Sequence, residues 1–187
     1  MLEKEIVDYK QHEQEICHWV NLKGEYRYQA IIDFLKEKDI ICSWNNVTYY
    51  IKYDKRILIN SFKYIVFLEE LYKSFIKQNK DVKQSELLRY EFKKALDEYI
   101  SIGEIANFDD IDLKLLIAEK DTINLFRNNV VHNKILLTHL YNGKTLEEVL
   151  NIFAKILPKS YRAGYVKDMN SCSKGITDKF WHIEIKE

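Results

Sequence analysis

A chain of 187 residues, 47% of them apolar and 13% aromatic, can bury a substantial core, which excludes an intrinsically disordered protein. Its 29 Lys and Arg residues balance 29 Asp and Glu residues, so a globally basic nucleic-acid binder is excluded. Any nucleic-acid contact must come from a local patch. One proline and five glycines favour long helices over a many-turned β fold.

The cysteines and the N-terminus predict a cytoplasmic protein. Three widely spaced cysteines, none paired at metal-ligand spacing, are typical of reduced thiols. The charged first five residues lack the apolar core of a signal peptide, and no apolar run approaches the roughly 18 residues of a membrane span. With no phosphate-binding glycine loop either, we expect no membrane partner, no metal and no cofactor.

Apolar residues at helical spacing predict three helices in the first half of the chain, over 2–20, 26–41 and 54–78. Before the third helix, Asn45 and Asn46 predict a turn, and 47–51 is a β-prone run.

Capping residues predict four helices in the second half. The first runs from Ser85 to about Ile102, and the second from Asp109 or Asp110 to about Lys120. The third starts at Asp121 or Thr122, and the fourth runs from Thr145 to about Pro158. Residues 103–108 are predicted to be a connection, and the Asn142-Gly143 pair predicts a turn.

The C-terminal residues alternate in polarity. Trp181, Ile183 and Ile185 alternate with polar residues as in a strand, and this segment can form a small two-stranded ribbon with 47–53. The fold predicted is an all-α helical bundle, with that β ribbon as a minor addition. We expect one domain over 1–187, with a core of about 25–158 between an N-terminal helix and a C-terminal appendage.

The segment 127–132 combines an arginine, an asparagine and a histidine. A guanidinium can hold a phosphate, and an imidazole can move a proton near neutral pH. On a helix, Ile123, Phe126 and Val130 form an apolar stripe, and Asn124, Asn128 and His132 lie on the other side. The long side chain of Arg127 could converge with His132 on one phosphate, although their Cβ directions diverge by roughly 140°.

Chance can also produce this pair. Five arginines and five histidines in this chain give about 0.4 such pairs at spacers of four to six residues. The alternative is therefore that His132 is a surface or partly buried helix residue and Arg127 a solvated charge.

Glu69 falls on the side of its helix that is predicted to carry the apolar residues Leu58, Phe62, Ile65 and Ile76. An ionised carboxylate there needs a partner. Lys73, four residues later, is the local candidate and Arg127 the non-local one. The alternative is an ordinary surface pair with Lys73.

Aromatic and basic residues cluster before the long helix. Tyr49, Tyr50 and Tyr53 beside Lys52, Lys55 and Arg56 can stack bases and hold phosphates, or can simply pack in the core. Lys55, Arg56 and Lys134 are candidate RNA-binding residues.

Two segments resemble the HEPN superfamily and, within it, the Abi-like (abortive infection) proteins. The first is Tyr53-Asp54-Lys55-Arg56 leading into Phe67-Leu68-Glu69-Glu70-Leu71-Tyr72-Lys73, and the second is Phe126-Arg127-Asn128-Asn129-Val130-Val131-His132. The resemblance implies a helical bundle and a homodimer whose arginine–histidine helices face each other. It implies metal-independent cleavage of RNA in phage defence or a toxin–antitoxin system, with a protein or RNA antitoxin as a further partner.

The resemblance also implies residue roles. His132 would transfer a proton, Arg127 would stabilise charge on the phosphate, and Asn128 would orient the pair, supported by Glu69 and Lys73. The near-zero net charge, and Asn133 and Lys134 after the motif, favour an alternative without catalysis. That alternative is an HEPN-like module that binds RNA or a protein; a plain helical interaction domain is a third.

Overall fold

The computed structural model of the protein describes residues 2–106, 111–174 and 181–186. These residues form eight α-helices and two short 3-10 helices and no β-strand, which confirms the predicted all-α bundle. The α-helices are α1 (Tyr9–Lys23), α2 (Glu25–Glu37), α3 (Trp44–Asn79), α4 (Gln84–Leu87), α5 (Phe92–Ala106), α6 (Leu113–Val131), α7 (Leu146–Ile156) and α8 (Lys159–Asn170). The 3-10 helices are Leu2–Lys4 and Ser171–Ser173. Every α-helix contributes to one continuous apolar core.

Helix α3 is the longest element and packs against α1, α2, α5, α6 and α8. It begins ten residues earlier than predicted, because Ser43 caps it by accepting a hydrogen bond from the Asn46 amide. Val47, Tyr50 and Tyr53 then fall on one helical face and are fully buried. The predicted turn and β-prone run are therefore wrong, because these aromatic and β-branched side chains fill a helix-packed core.

The predicted β ribbon is also wrong, because 47–53 is helical and the backbone of 181–186 forms hydrogen bonds with side chains instead of with a second strand. The predicted alternation is present, with Ile183 and Ile185 buried and His182, Glu184 and Lys186 exposed. The Ile183 amide donates to the Tyr53 hydroxyl at 2.9 Å, and the Tyr50 hydroxyl donates to the Trp181 carbonyl at 2.6 Å. The extended tail thus lies along α3.

The predicted helix from Ser85 is divided in two. Ser85 lies inside the single turn of α4, and α5 begins at Phe92 and continues past Ile102. Among the residues of the predicted connection, 103–106 belong to α5, and 107–108 lie outside the described residues.

Helix α6 is continuous where two helices were predicted. Asp112 caps it by accepting a hydrogen bond from the Leu115 amide at 3.0 Å, whereas the predicted caps Asp109 and Asp110 lie outside the described residues. Asp121 and Thr122 lie inside α6. Thr122 accepts a hydrogen bond from the Asn142 side chain, so its hydroxyl serves tertiary packing rather than a helix start.

The C-terminal end of α6 is a left-handed turn. Asn133 has a φ of 53°, the Lys134 amide donates to the Asn129 carbonyl, and the Asn133 amide donates to the Val130 carbonyl. This pair of hydrogen bonds is the Schellman motif, and asparagine tolerates the left-handed conformation. His132 is thereby fixed as the last residue before the turn.

The signals around α7 are confirmed. Thr145 and Glu148 form both hydrogen bonds of a capping box, and Asn142 and Gly143 form a turn with positive φ angles. Pro158 lies just past the end of α7 but also precedes α8, which was not predicted. No helix among the described residues combines the length and the apolarity that crossing a bilayer requires.

Asp54 ties the middle of α3 to the segment that follows α6. Its carboxylate is 2% exposed, and one oxygen accepts hydrogen bonds from the amides of Leu136 and Leu137 at 2.7 and 2.9 Å. Burial raises the pKa of Asp54 to about 6, although the two amide donors act in the opposite direction. The carboxylate thus supplies the acceptor for two buried amide groups that would otherwise be unpaired.

Two replacements of Asp54 should distinguish the contribution of its hydrogen bonds to stability from that of its charge. We expect Asp54→Ala to lower the free energy of unfolding by about 3 kcal/mol, because it leaves two buried donors without an acceptor. Asp54→Asn keeps an acceptor oxygen and should cost less than half of that at pH 7. Urea denaturation measures both; equal losses would contradict the role of Asp54 as an acceptor.

The stability of the wild type should also depend on pH in a defined direction. Because the pKa of Asp54 is raised from 3.8 to about 6, the native state holds a proton that the unfolded chain releases between these values. Relative to Asp54→Asn, wild type should therefore gain roughly 2 kcal/mol as the pH falls from 7 to 4. A constant difference across this range would contradict the raised pKa.

Candidate functional site

Arg127 lies on α6 and reaches towards α3 and α5. Its guanidinium is 3.8 Å from the Glu69 carboxylate, donates to the Asn128 side-chain oxygen at 3.2 Å, and lies 5.6 Å from the Phe92 ring centroid. The side chain is 24% exposed. The guanidinium is therefore held against the bundle while remaining accessible at the surface.

Glu69 contacts both partners considered from the sequence. The Lys73 ammonium donates to one carboxylate oxygen at 2.7 Å, and the Arg127 guanidinium approaches the other oxygen. At 25% exposure, Glu69 lies at the edge of the core rather than inside it. Two cations share one carboxylate, so the cluster of Glu69, Lys73 and Arg127 carries one excess positive charge that can attract a phosphate.

His132 lies at the exposed end of α6. Its backbone amide donates to the Asn128 carbonyl, and its imidazole makes no hydrogen bond, ion pair or ring contact with the part of the chain that the structure describes. The imidazole is thus available to a ligand or a second chain.

Arg127 and His132 do not converge within one chain. On α6 they are separated by a rise of about 7.5 Å and a rotation of roughly 140°. Arg127 is directed towards Glu69 and Phe92, whereas His132 is at the solvent end. Asn128 links them, since its side chain accepts from Arg127 and its carbonyl accepts from the His132 amide.

Two cations meet at Asn133, the residue after His132. The Lys55 ammonium donates to the Asn133 side-chain oxygen, and the Arg27 guanidinium donates to the Asn133 carbonyl, both at 2.9 Å. Lys55, a candidate from the sequence, is therefore placed beside the site, and so is Lys134, which is exposed in the same turn. Arg27 was missed, because only tertiary packing brings α2 to this turn.

Arg56 is not brought to this site. Its guanidinium donates to the carbonyl oxygens of Cys172 and Lys174 at 3.1 and 2.6 Å, and so anchors the segment after α8. Tyr50 and Tyr53 are likewise occupied, since both are buried and hydrogen-bonded to the C-terminal tail. Core packing, the alternative left open for the tyrosine cluster, applies to these two, whereas Tyr49 is exposed.

An exposed apolar stripe runs along α3. Ile59, Phe62 and Val66 are 56%, 47% and 39% exposed and follow one another at i, i+3 and i+7. Phe62 was expected in the core, but it lies about 40° around the helix from the buried Leu58, which moves it onto this outer face. An unbroken apolar stripe at the surface is typical of an interaction site.

The stripe lies between the two points at which α3 touches the site. Lys55 and Glu69 are seven residues before and after Phe62, so they share its helical face. Lys55 contacts Asn133 and Glu69 contacts Arg127, which places α6 alongside the stripe in the antiparallel direction. Val131, 39% exposed, adds an apolar residue from α6.

Comparison with known proteins gives no family assignment. No family model, curated protein or solved structure matches the chain. Within 2–106, 111–174 and 181–186, no three or more His, Cys, Asp or Glu side chains are grouped as metal ligands would be. What the site can do therefore follows from its residues and their geometry.

The charge cluster can be tested by double-mutant cycles. We expect coupling of about 0.5 kcal/mol between Glu69→Ala and Lys73→Ala, and a similar or smaller coupling between Glu69→Ala and Arg127→Ala, because all three side chains are partly exposed. Urea denaturation of the single and double variants provides the measurement. Strictly additive effects in both cycles would mean that the carboxylate binds neither cation in solution.

Proposed function

We propose that the protein is a metal-independent endoribonuclease of the HEPN type that cleaves single-stranded RNA. The observation that carries the proposal is an arginine held beside Glu69 and joined through Asn128 to the exposed His132. A fixed guanidinium and a free imidazole on one helix are the groups that phosphate binding and proton transfer require. The biological setting we propose is phage defence by abortive infection or a toxin–antitoxin system.

The proposed reaction uses the RNA's own 2′-hydroxyl. His132 takes the proton of that hydroxyl as its oxygen bonds to the adjacent phosphorus, and the bond to the 5′-oxygen breaks. Arg127 stabilises the charge on the phosphate oxygens, and the leaving oxygen takes a proton from water, to which the imidazolium then returns its proton. The products are a 2′,3′-cyclic phosphate and a 5′-hydroxyl.

We further propose that two copies complete the site. Because Arg127 and His132 diverge on one helix, a symmetric pair with facing α6 helices would bring the arginine of each copy towards the histidine of the other. The exposed stripe of Ile59, Phe62 and Val66, with Val131 beside it, supplies an apolar surface for such a contact.

A cleavage assay tests the reaction. Purified protein should cut single-stranded RNA in the presence of EDTA, and His132→Ala should lower the rate by at least about a hundredfold because proton transfer is lost. His182→Ala, which replaces another exposed histidine, is the matched control and should retain activity. Equal cleavage by wild type and His132→Ala would contradict the assignment.

An oligomerisation assay tests the paired site. Phe62→Lys places a charge in the stripe and should convert a dimer into a folded monomer with little cleavage activity, as measured by sedimentation and RNA cleavage. Leu88→Lys changes an apolar residue that is 70% exposed outside the stripe and should leave the dimer intact. A wild type that is monomeric yet active would contradict this part of the proposal.

The second candidate is a non-catalytic module of the same type. It is favoured by the unpartnered His132 imidazole and by Asn133 and Lys134, which follow it at the surface. Such a module would bind RNA or a protein, including an antitoxin of either kind, without cleavage. Its binding would be unchanged by His132→Ala, which distinguishes it from the nuclease.

A further inference from the structure

A groove lined by aromatic and basic side chains lies where α1, α2 and α3 meet. Its volume is about 320 Å³, and we call it the Trp19 groove. Its walls include Glu15, Trp19, Lys23, Tyr28, Trp44 and Lys52.

The aromatic side of the Trp19 groove is rigid and partly open. Tyr28 and Trp44 are buried and stacked, with ring centroids 5.7 Å apart. Trp19 packs at the edge of the core but is only half-buried, and the Lys23 ammonium lies over its ring, 4.3 Å from the centroid. A partly exposed indole can stack a nucleobase if the Lys23 ammonium moves from the ring to the attached phosphate and neutralises it.

Basic residues of α2 and α3 extend from the groove towards the turn that holds His132. Lys52 lies one helical turn before Lys55 on α3, and Tyr28 directly follows Arg27 on α2. Lys55 and Arg27 are the two side chains that donate to Asn133. A path of basic side chains thus leads from the Trp19 groove to the residue beside His132.

The cations of this path are not held in ion pairs. Lys23, Arg27, Lys52 and Lys55 form no ion pair among the described residues, whereas Lys36, Lys63 and Lys73 do. The nearby Asp54 is buried and bound to backbone amides. In a chain of zero net charge, this is a local patch of the kind that can follow a phosphate backbone.

We propose that the Trp19 groove binds a base of the single-stranded RNA that flanks the phosphate cut at His132. The proposal rests on the proposed function, which supplies the position of the cut. In it, the base stacks on Trp19 and the backbone phosphates follow Lys52, Lys55 and Arg27. Glu15 in the wall of the groove can accept a hydrogen bond from an exocyclic amino group of the base.

Binding without cleavage isolates the groove from the reaction. The probe is a short, fluorescently labelled, single-stranded 2′-O-methyl oligoribonucleotide, which lacks the attacking hydroxyl. We expect Trp19→Ala to weaken its binding about tenfold, in keeping with the loss of one stacked base. Trp19→Phe should retain most of the affinity, and Lys52→Ala should lower it several-fold. Lys155→Ala, which removes an exposed charge from α7, is the control and should bind as wild type does.

The possible outcomes test the base-binding groove separately from the proposed nuclease activity. Wild-type affinity in both Trp19→Ala and Lys52→Ala, or no binding by wild type at all, would overturn the groove. If Trp19→Ala fails to fold by circular dichroism, Lys52→Ala on the exposed wall decides. Binding that depends on Trp19, in a protein that cuts no unmodified RNA, would support the groove and refute the nuclease.

Discussion

The buried carboxylate of Asp54 fixes the point at which the two halves of the chain meet. One of its oxygens receives the amides of Leu136 and Leu137, so the segment after α6 is fastened to the middle of α3. The next residue, Lys55, holds Asn133 of the left-handed turn, and Arg56 holds the carbonyls after α8. Three consecutive residues therefore hold two segments against α3, the one that follows α6 and the one that follows α8.

The position of His132 follows from this constraint. The turn that ends α6 is closed by its own hydrogen bonds, and Arg27 and Lys55 hold it from α2 and α3. The exposed imidazole therefore has a defined position at the surface of the bundle. Earlier on α6, the Arg127 guanidinium is held at the surface by the Glu69 carboxylate. The fold thus holds a guanidinium and an imidazole at two diverging points of α6, which is why the proposed chemistry requires a second copy.

Periodicity predicted the parts of the fold and the site that depend on local spacing. The apolar back of α6, the capping box at Thr145, and both partners of Glu69 were predicted from their spacing or chemistry and are present. The start of α3 was not predicted, because Tyr50 and Tyr53 favour strands in isolation and become helical only against the tail and α2. The position of Arg27 beside the site and the formation of the Trp19 groove depend on packing between helices, which a local sequence pattern does not predict.

The central claim is that the nuclease site is shared between two copies, and mixing two inactive variants tests it most directly. Arg127→Ala and His132→Ala should each be inactive alone. After joint unfolding and refolding, half-sites from the two variants should combine an intact Arg127 of one copy with an intact His132 of the other and restore RNA cleavage. A mixture that forms heterodimers but stays inactive would contradict the account.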